Sequence, residues 1–69
     1  MNIKRRRKIA GLTQQALAEA LGVHQTAVAG WEKGRSTPRA AHMIKLAALF
    51  GCTVDDLLKD GGTAEEGAD

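Results

Sequence analysis

The sequence has few of the residues on which secreted domains, membrane spans and base-stacking surfaces depend. Its 69 residues include one cysteine, one proline, one tryptophan, one phenylalanine and no tyrosine. A single cysteine excludes an internal disulfide bond, which fits a reducing, cytoplasmic location. The few aromatic side chains argue against a surface that stacks unpaired bases. No apolar run approaches the ~20 residues of a membrane span and no signal-peptide core is recognisable, so we expect no membrane contact.

Residues suited to catalysis or metal binding are also scarce. His24, His42 and Cys52 lack the spacing of a zinc site. No Ser/His/Asp or Cys/His arrangement and no glycine-rich phosphate loop is recognisable. We therefore expect neither an enzyme nor a bound cofactor or metal, and we interpret Cys52 as a small buried hydrophobic residue.

Charge is distributed unevenly along the chain. Residues 1–52 contain nine Lys or Arg against two acidic residues, whereas residues 53–69 contain one Lys against six acidic residues. A basic body favours phosphate-bearing partners, because its binding releases counterions. Residues 60–69 have no apolar periodicity, so we predict a domain over 1–59 and an acidic, disordered tail that could meet a basic protein partner.

Helical periodicity predicts an all-α, compact bundle of five helices over residues 3–58. The first helix spans about 3–10, the second about 14–21 with Thr13 as N-cap, and the third about 25–33. Pro38 suits the first turn of the fourth helix. That helix has an apolar stripe and ends at Gly51; the stripe consists of Met43, Ile44, Leu46, Ala47 and Phe50.

The fifth helix is predicted from a capping box and a short apolar stripe. Thr53 and Asp56 have the spacing in which each side chain accepts a hydrogen bond from the other residue's backbone N–H. Val54, Leu57 and Leu58 form the stripe. We expect this stripe to provide the contact if the protein forms a homodimer.

The most informative segment is residues 13–34, TQQALAEALGVHQTAVAGWEKG. Leu17, Ala18 and Leu21 share one helical face, and Gly22 ends that helix. The following helix has apolar residues at Ala27, Val28 and Trp31 and ends at Gly34. Two short helices joined by a glycine-containing turn form a helix-turn-helix, which presents its second helix to a DNA major groove about 12 Å wide.

The order and spacing of residues over about 3–58 resemble the phage-repressor-like (Cro/CI-type, XRE) helix-turn-helix domains. The matching residues are Leu12-Thr13-Gln14, Leu17-Ala18, Leu21-Gly22-Val23, Val28, Trp31-Glu32, Gly34, Pro38, Lys45-Leu46-Ala47 and Asp56-Leu57-Leu58. The resemblance implies a lambda-repressor-like five-helix bundle that binds double-stranded operator DNA, usually as a two-fold dimer on a palindromic site. It also implies a prokaryotic or phage-encoded protein associated with the nucleoid.

The resemblance makes Gln25 and Thr26 base-reading residues. Glutamine can pair with adenine N6 and N7, and threonine offers a methyl to thymine or a hydroxyl to any base. Ala29 and Gly30 could allow a close approach to DNA, although the position of Gly30 could equally tolerate any residue. Because few side chains remain for direct readout, we expect DNA shape to contribute strongly to specificity.

Contacts to the DNA backbone are assigned to two groups. The resemblance implies that Gln14 holds a phosphate and orients the base-reading glutamine. His24 replaces the usual Ser or Thr cap, so we expect a frayed helix start; it could contact DNA or be incidental. The further phosphate candidates follow the third helix and are Lys33, Arg35, Ser36, Thr37 and Arg39.

Arg7 and Glu32 are interpreted as a structural ion pair, which the resemblance implies between the first helix and the end of the third. Of the basic run at residues 4–8, we expect one or two other members to add long-range attraction. Trp31 shares a helical face with Val28 and is interpreted as a core residue.

These observations predict a sequence-specific DNA-binding transcriptional regulator, a repressor. One alternative is a protein-interaction module such as the antitoxin of a toxin–antitoxin pair, whose acidic tail would meet a basic partner. A second alternative is nonspecific coating of nucleic acid, which would bind all duplexes equally.

Overall fold

The computed structural model describes residues 1–59, which fold into five α-helices without a β-strand. The helices are α1 (Ile3–Ile9), α2 (Gln14–Leu21), α3 (Gln25–Glu32), α4 (Ala40–Phe50) and α5 (Val54–Lys59). The all-α, five-helix prediction is therefore confirmed. The acidic tail predicted at residues 60–69 lies outside the described residues.

Side-chain caps explain where three of the helices begin. Asn2 accepts from the backbone N–H of Arg5 at 3.1 Å before α1, and Thr13 accepts from Ala16 at 3.0 Å before α2. At α5, Asp56 N–H donates to Thr53 Oγ1 at 2.9 Å and Thr53 N–H donates to Asp56 Oδ2 at 3.1 Å. The predicted capping box is confirmed, and the hydrogen bonds from Thr53 lower the pKa of the Asp56 carboxyl.

The predicted start of the fourth helix is wrong by two residues. Arg39 is the N-cap of α4, with extended backbone angles of φ −69° and ψ 162°, and Pro38 precedes it. Pro38 is buried, so its ring packs inside the fold instead of occupying the first helical turn. The ends of α1 and α3 differ from prediction by one residue, because Ala10 and Lys33 are C-caps.

The core lies where α2 and α3 meet α1, α4 and α5. Its buried apolar residues are Ile3, Leu17, Ala18, Leu21, Val28, Leu46, Ala47 and Leu57. Trp31 and Cys52 are partly buried against this core. Trp31 therefore packs as predicted, whereas Cys52 is less buried than expected.

Two apolar residues of the predicted stripes face solvent. Ile44 is 63% exposed and Leu58 is 57% exposed, because α4 and α5 each bury a narrower face than their apolar residues cover. Leu57 is completely buried inside one copy of the chain, so its assignment to a dimer contact is wrong.

Candidate nucleic-acid interface

A tight turn holds α3 against α2. Gly22 has a left-handed backbone (φ 74°), which glycine adopts without steric cost, and this conformation ends α2. Val23 N–H donates to the carbonyl of Ala18 at 3.0 Å, a backbone hydrogen bond typical of a glycine-terminated helix end. Leu17 and Val28 are fully buried, one on each helix, so apolar packing holds α3 against α2.

Four polar side chains from α1, α2 and α3 form one hydrogen-bonded series, which we call the polar chain: Arg7, Glu32, Gln14 and Gln25. Arg7 Nε donates to Glu32 Oε2 at 2.6 Å, and Arg7 Nη2 donates to Glu32 Oε1 at 3.3 Å. Gln14 Nε2 donates to Glu32 Oε1 at 3.0 Å. Gln25 Nε2 then donates to Gln14 Oε1 at 2.6 Å. The polar chain thus runs from the Arg7–Glu32 ion pair at the C-terminal end of α3 to the side-chain amide of Gln25 at the N-terminal end of α3.

The ion pair at one end of the polar chain is well shielded from solvent. The Arg7 and Glu32 side chains are 10% and 4% exposed, and Arg7 Nη1 also donates to the Leu12 carbonyl at 2.8 Å. A two-point contact between guanidinium and carboxylate fixes direction as well as distance. The pair therefore provides a rigid anchor from which Gln14 and Gln25 are oriented.

Gln25 keeps groups for a further partner at the other end of the polar chain. Its bond to Gln14 uses one of the two Nε2 hydrogens, which leaves the second hydrogen and Oε1. One donor and one acceptor on a planar amide match N7 and N6 of adenine. Gln14 contacts Gln25, the residue that the resemblance implies it orients, and the Gln14 amide also donates to Glu32.

The start of α3 is capped, so the expected fraying is wrong. His24 Nδ1 lies 3.2 Å from the backbone nitrogen of Thr26 and 2.9 Å from Thr26 Oγ1. An unprotonated imidazole nitrogen is a hydrogen-bond acceptor and can serve as the cap oxygen of Ser or Thr does. His24 and Thr26 are both exposed, which keeps this end of the helix accessible.

The loop after α3 carries the predicted phosphate ligands and folds back over the helix. Gly34 is left-handed (φ 77°), and Arg35 N–H donates to the carbonyl of Gly30 at 2.9 Å. A Cβ added to Gly30 would lie 3.2 Å from Ser36 Oγ. A side chain at Gly30 would therefore require the Ser36 side chain to shift slightly, a contact that the sequence did not indicate.

The remaining candidate residues for DNA contact differ in how far they are exposed to solvent. Ala29 and Gly30 are partly buried, so they have less surface to offer a base than Thr26. The exposed candidates for backbone contact are Lys33, Arg35, Ser36, Thr37 and Arg39. They follow α3 in the chain, whereas Gln25 and Thr26 begin it.

Two contacts were not anticipated from the sequence. The His24 cap on Thr26 could have been inferred from the position of a hydrogen-bond acceptor immediately before a helix. The Trp31 ring lies 5.7 Å from the His42 ring, centroid to centroid, so His42 packs beside the end of α3. No local signal marked that pairing, because the two residues belong to different helices.

Other classes of site were sought in the described part of the chain. Within residues 1–59, no cluster of three or more His, Cys, Asp or Glu side chains is arranged to hold a metal ion. None of the five helices has the length and apolar character needed to cross a membrane.

The relatives found by comparison with known proteins are named as transcriptional regulators or as a repressor. The chain is 40% identical over 47 residues to the HTH-type transcriptional activator BcrR of Enterococcus faecalis, covering 68% of this chain and 23% of that protein. It is 33% identical over 57 residues to Repressor protein C2 of Salmonella phage P22, covering 83% and 26%. An uncharacterised HTH-type transcriptional regulator of Methanocaldococcus jannaschii is 34% identical over 55 residues, covering 80% and 83%.

The match to the first two relatives is confined to part of each of them. The chain spans about a quarter of the length of each. No solved structure gives a significant match. The model of the helix-turn-helix family matches residues 3–57, well over half of the chain and all of α1 to α4. The chain therefore belongs to the helix-turn-helix family, as the resemblance to the XRE type predicted.

Proposed function

We propose that residues 1–59 are a sequence-specific double-stranded DNA-binding domain of a transcriptional regulator, a repressor, that acts in the cytoplasm at the nucleoid. The observation that carries the proposal is the polar chain, which orients the amide of the partly buried Gln25 from a shielded ion pair. Holding the Gln25 side chain in one orientation costs conformational entropy, and a side chain oriented in advance supports a role in binding a partner.

In this proposal the first turn of α3 enters the major groove. Gln25 pairs with adenine through its amide, and Thr26 contacts the neighbouring base pair with its hydroxyl or methyl. Ala29 and Gly30 present no long side chain, which allows close approach but adds little direct readout. Specificity then depends in part on how easily the DNA deforms.

The exposed basic and hydroxyl side chains fix the register on the DNA backbone. The proposed phosphate ligands are Gln14, His24, Lys33, Arg35, Ser36, Thr37 and Arg39. If two protomers together make about 6–10 phosphate contacts, affinity falls ~10³–10⁵-fold between ~50 and ~200 mM salt. This strong salt dependence distinguishes electrostatic positioning from base reading, which changes less with salt.

A homodimer on a palindromic operator completes the proposal. Leu57 is buried, so the contact would use the exposed part of α5, above all Leu58, with the partly buried Val54 beside it. Two-fold symmetry would place the half-sites ~34 Å apart, one turn of the double helix. Repression follows the precedent of the relative named as a phage repressor, because a protein that occupies an operator blocks competing factors.

Selection of bound sequences from a random duplex pool tests the proposal. We expect one palindromic consensus, bound at least tenfold more tightly than random duplex, since a site with several matched base pairs gains ~1–3 kcal/mol from each. Gln25→Ala should remove the preference at one base pair per half-site. Gln15→Ala is the matched control, because Gln15 is an exposed glutamine of α2 that bonds Glu19. Equal affinity for the selected and random duplexes would overturn the proposal.

A further inference from the structure

The contact between His24 and Thr26 determines which atom carries the proton. A backbone N–H can only donate, so the bond from Thr26 N–H to His24 Nδ1 requires that Nδ1 has no proton. The neutral imidazole then carries its proton on Nε2. Thr26 Oγ1 lies 2.9 Å from the same Nδ1, and between these two atoms only the hydroxyl has a hydrogen to donate.

The Thr26 hydroxyl is therefore committed as a donor inside the protein. A hydroxyl has one hydrogen and two lone pairs, so the committed group can offer a DNA base only acceptor capacity. A free threonine hydroxyl, by contrast, rotates to donate or accept according to its partner. The fixed arrangement thus removes an ambiguity that threonine otherwise has in the major groove.

We propose that His24 is a positioning residue that makes Thr26 select bases with an exocyclic amino group. At the base that Thr26 contacts, the complex prefers adenine (N6 amino) to guanine (O6), or cytosine (N4 amino) to thymine (O4). This inference rests on the proposed function, since it concerns the specificity of the same interface.

The experiment measures affinity for duplexes that differ only at the base contacted by Thr26. That position is identified as the one whose preference disappears in Thr26→Ala. Wild-type protein at about pH 7.5 should bind the amino-bearing base about fivefold more tightly, the factor for one net hydrogen bond. A ratio near one would overturn the inference.

Two variants separate positioning from simple capping. His24→Asn keeps an acceptor oxygen immediately before the helix, so the fivefold preference should persist. His24→Ala removes the acceptor and should lose the preference, and circular dichroism melting shows whether it remains folded.

The outcomes distinguish this inference from the proposed function. If wild-type protein selects a consensus but prefers guanine or thymine at the Thr26 position, the inference is overturned while the function stands. The same holds if His24→Ala weakens binding to all duplexes equally, which is the result for a cap alone. A wild-type protein without any sequence preference would overturn the proposed function and this inference with it.

Discussion

The two halves of the domain share one apolar core but differ in the polar contacts between their helices. In the half formed by α1, α2 and α3, the polar chain connects the helices through directional hydrogen bonds, with the Arg7–Glu32 pair at its base. In the half formed by α4 and α5, Leu46, Ala47 and Leu57 are buried in the common core, and Ile44 and Leu58 face solvent. Hydrogen bonds fix angles, whereas apolar burial does not. The half that we propose to present side chains to DNA is the half with directional contacts between its helices.

The largest expected effect comes from removing the Arg7–Glu32 ion pair in the half formed by α1, α2 and α3. Arg7→Ala would leave the Glu32 carboxylate shielded without its cation, at a cost of about 3–5 kcal/mol if its burial is complete. Thermal denaturation should show a clear loss of stability, accompanied by weaker DNA binding. Lys8→Ala is the control, because Lys8 is an exposed basic residue of the same helix. Weak binding by an Arg7→Ala protein that melts like wild type would show that Arg7 is not structural.

A similar loss of stability is expected in the half formed by α4 and α5, but without a direct effect on base preference. Leu57→Ala removes a completely buried side chain and should cost about 2–5 kcal/mol in unfolding free energy. The neighbouring Leu58→Ala should change stability by less than about 0.5 kcal/mol, because Leu58 is mostly exposed. Urea denaturation of the two variants compares them directly. Similar losses for both would contradict the packing of α5, and a loss confined to high protein concentration would locate Leu58 in a dimer contact.

Both halves meet at the loop after α3, where a smaller effect is expected. Alanine is favoured over glycine by ~1 kcal/mol inside a helix, but a Cβ at Gly30 would press on Ser36 Oγ at 3.2 Å. Gly30→Ala should therefore stabilise the protein more when Ser36 is also changed to Ala than when it is present. Unfolding free energies of the two single variants and the double variant give the coupling. Equal effects of Gly30→Ala in both backgrounds would mean that Ser36 moves aside freely.

The smallest effect concerns pH and the capping box of α5. Because the folded state lowers the pKa of the Asp56 carboxyl, the resulting stabilisation is present above the ordinary aspartate pKa of ~3.9. It is lost as the pH falls through the lower folded value. Asp56→Asn should reduce the melting temperature at neutral pH, and the difference from wild type should shrink below about pH 4. Asp55→Asn removes the same charge from the same helical turn and tests whether the capping bond or the charge matters.

Local signals predicted the helices well and predicted burial less well. Thr13, Gly22 and the Thr53–Asp56 pair act within a few residues, so their effects on helix starts and ends are legible in the sequence. The helix start predicted from Pro38 is wrong, because the burial of Pro38 outweighed its suitability for a first helical turn. The predictions for Ile44 and Leu57 are wrong in opposite directions, because Ile44 is exposed and Leu57 is completely buried. A stripe of apolar residues does not show how wide a face the neighbouring helices cover.

The candidate site divides in the same way. The residue types of Gln25, Thr26 and the basic loop predicted where a nucleic acid could bind. His24 was expected to cap α3 poorly although it caps Thr26, and the sequence did not indicate that the loop lies against Gly30. Both contacts depend on side-chain rotamers and backbone angles that residue identity alone does not determine.

The sequence by itself determined the five helices, the helix-turn-helix at residues 13–34 and the family to which the chain belongs. Those properties follow from periodicity, caps and stops whose interactions span a few residues. Only the tertiary structure decided that Arg7, Glu32, Gln14 and Gln25 form one series, and that the Thr26 hydroxyl lies within hydrogen-bond distance of His24. Arg7 and Glu32 are 25 residues apart, so their contact exists only when packed helices set both distance and angle.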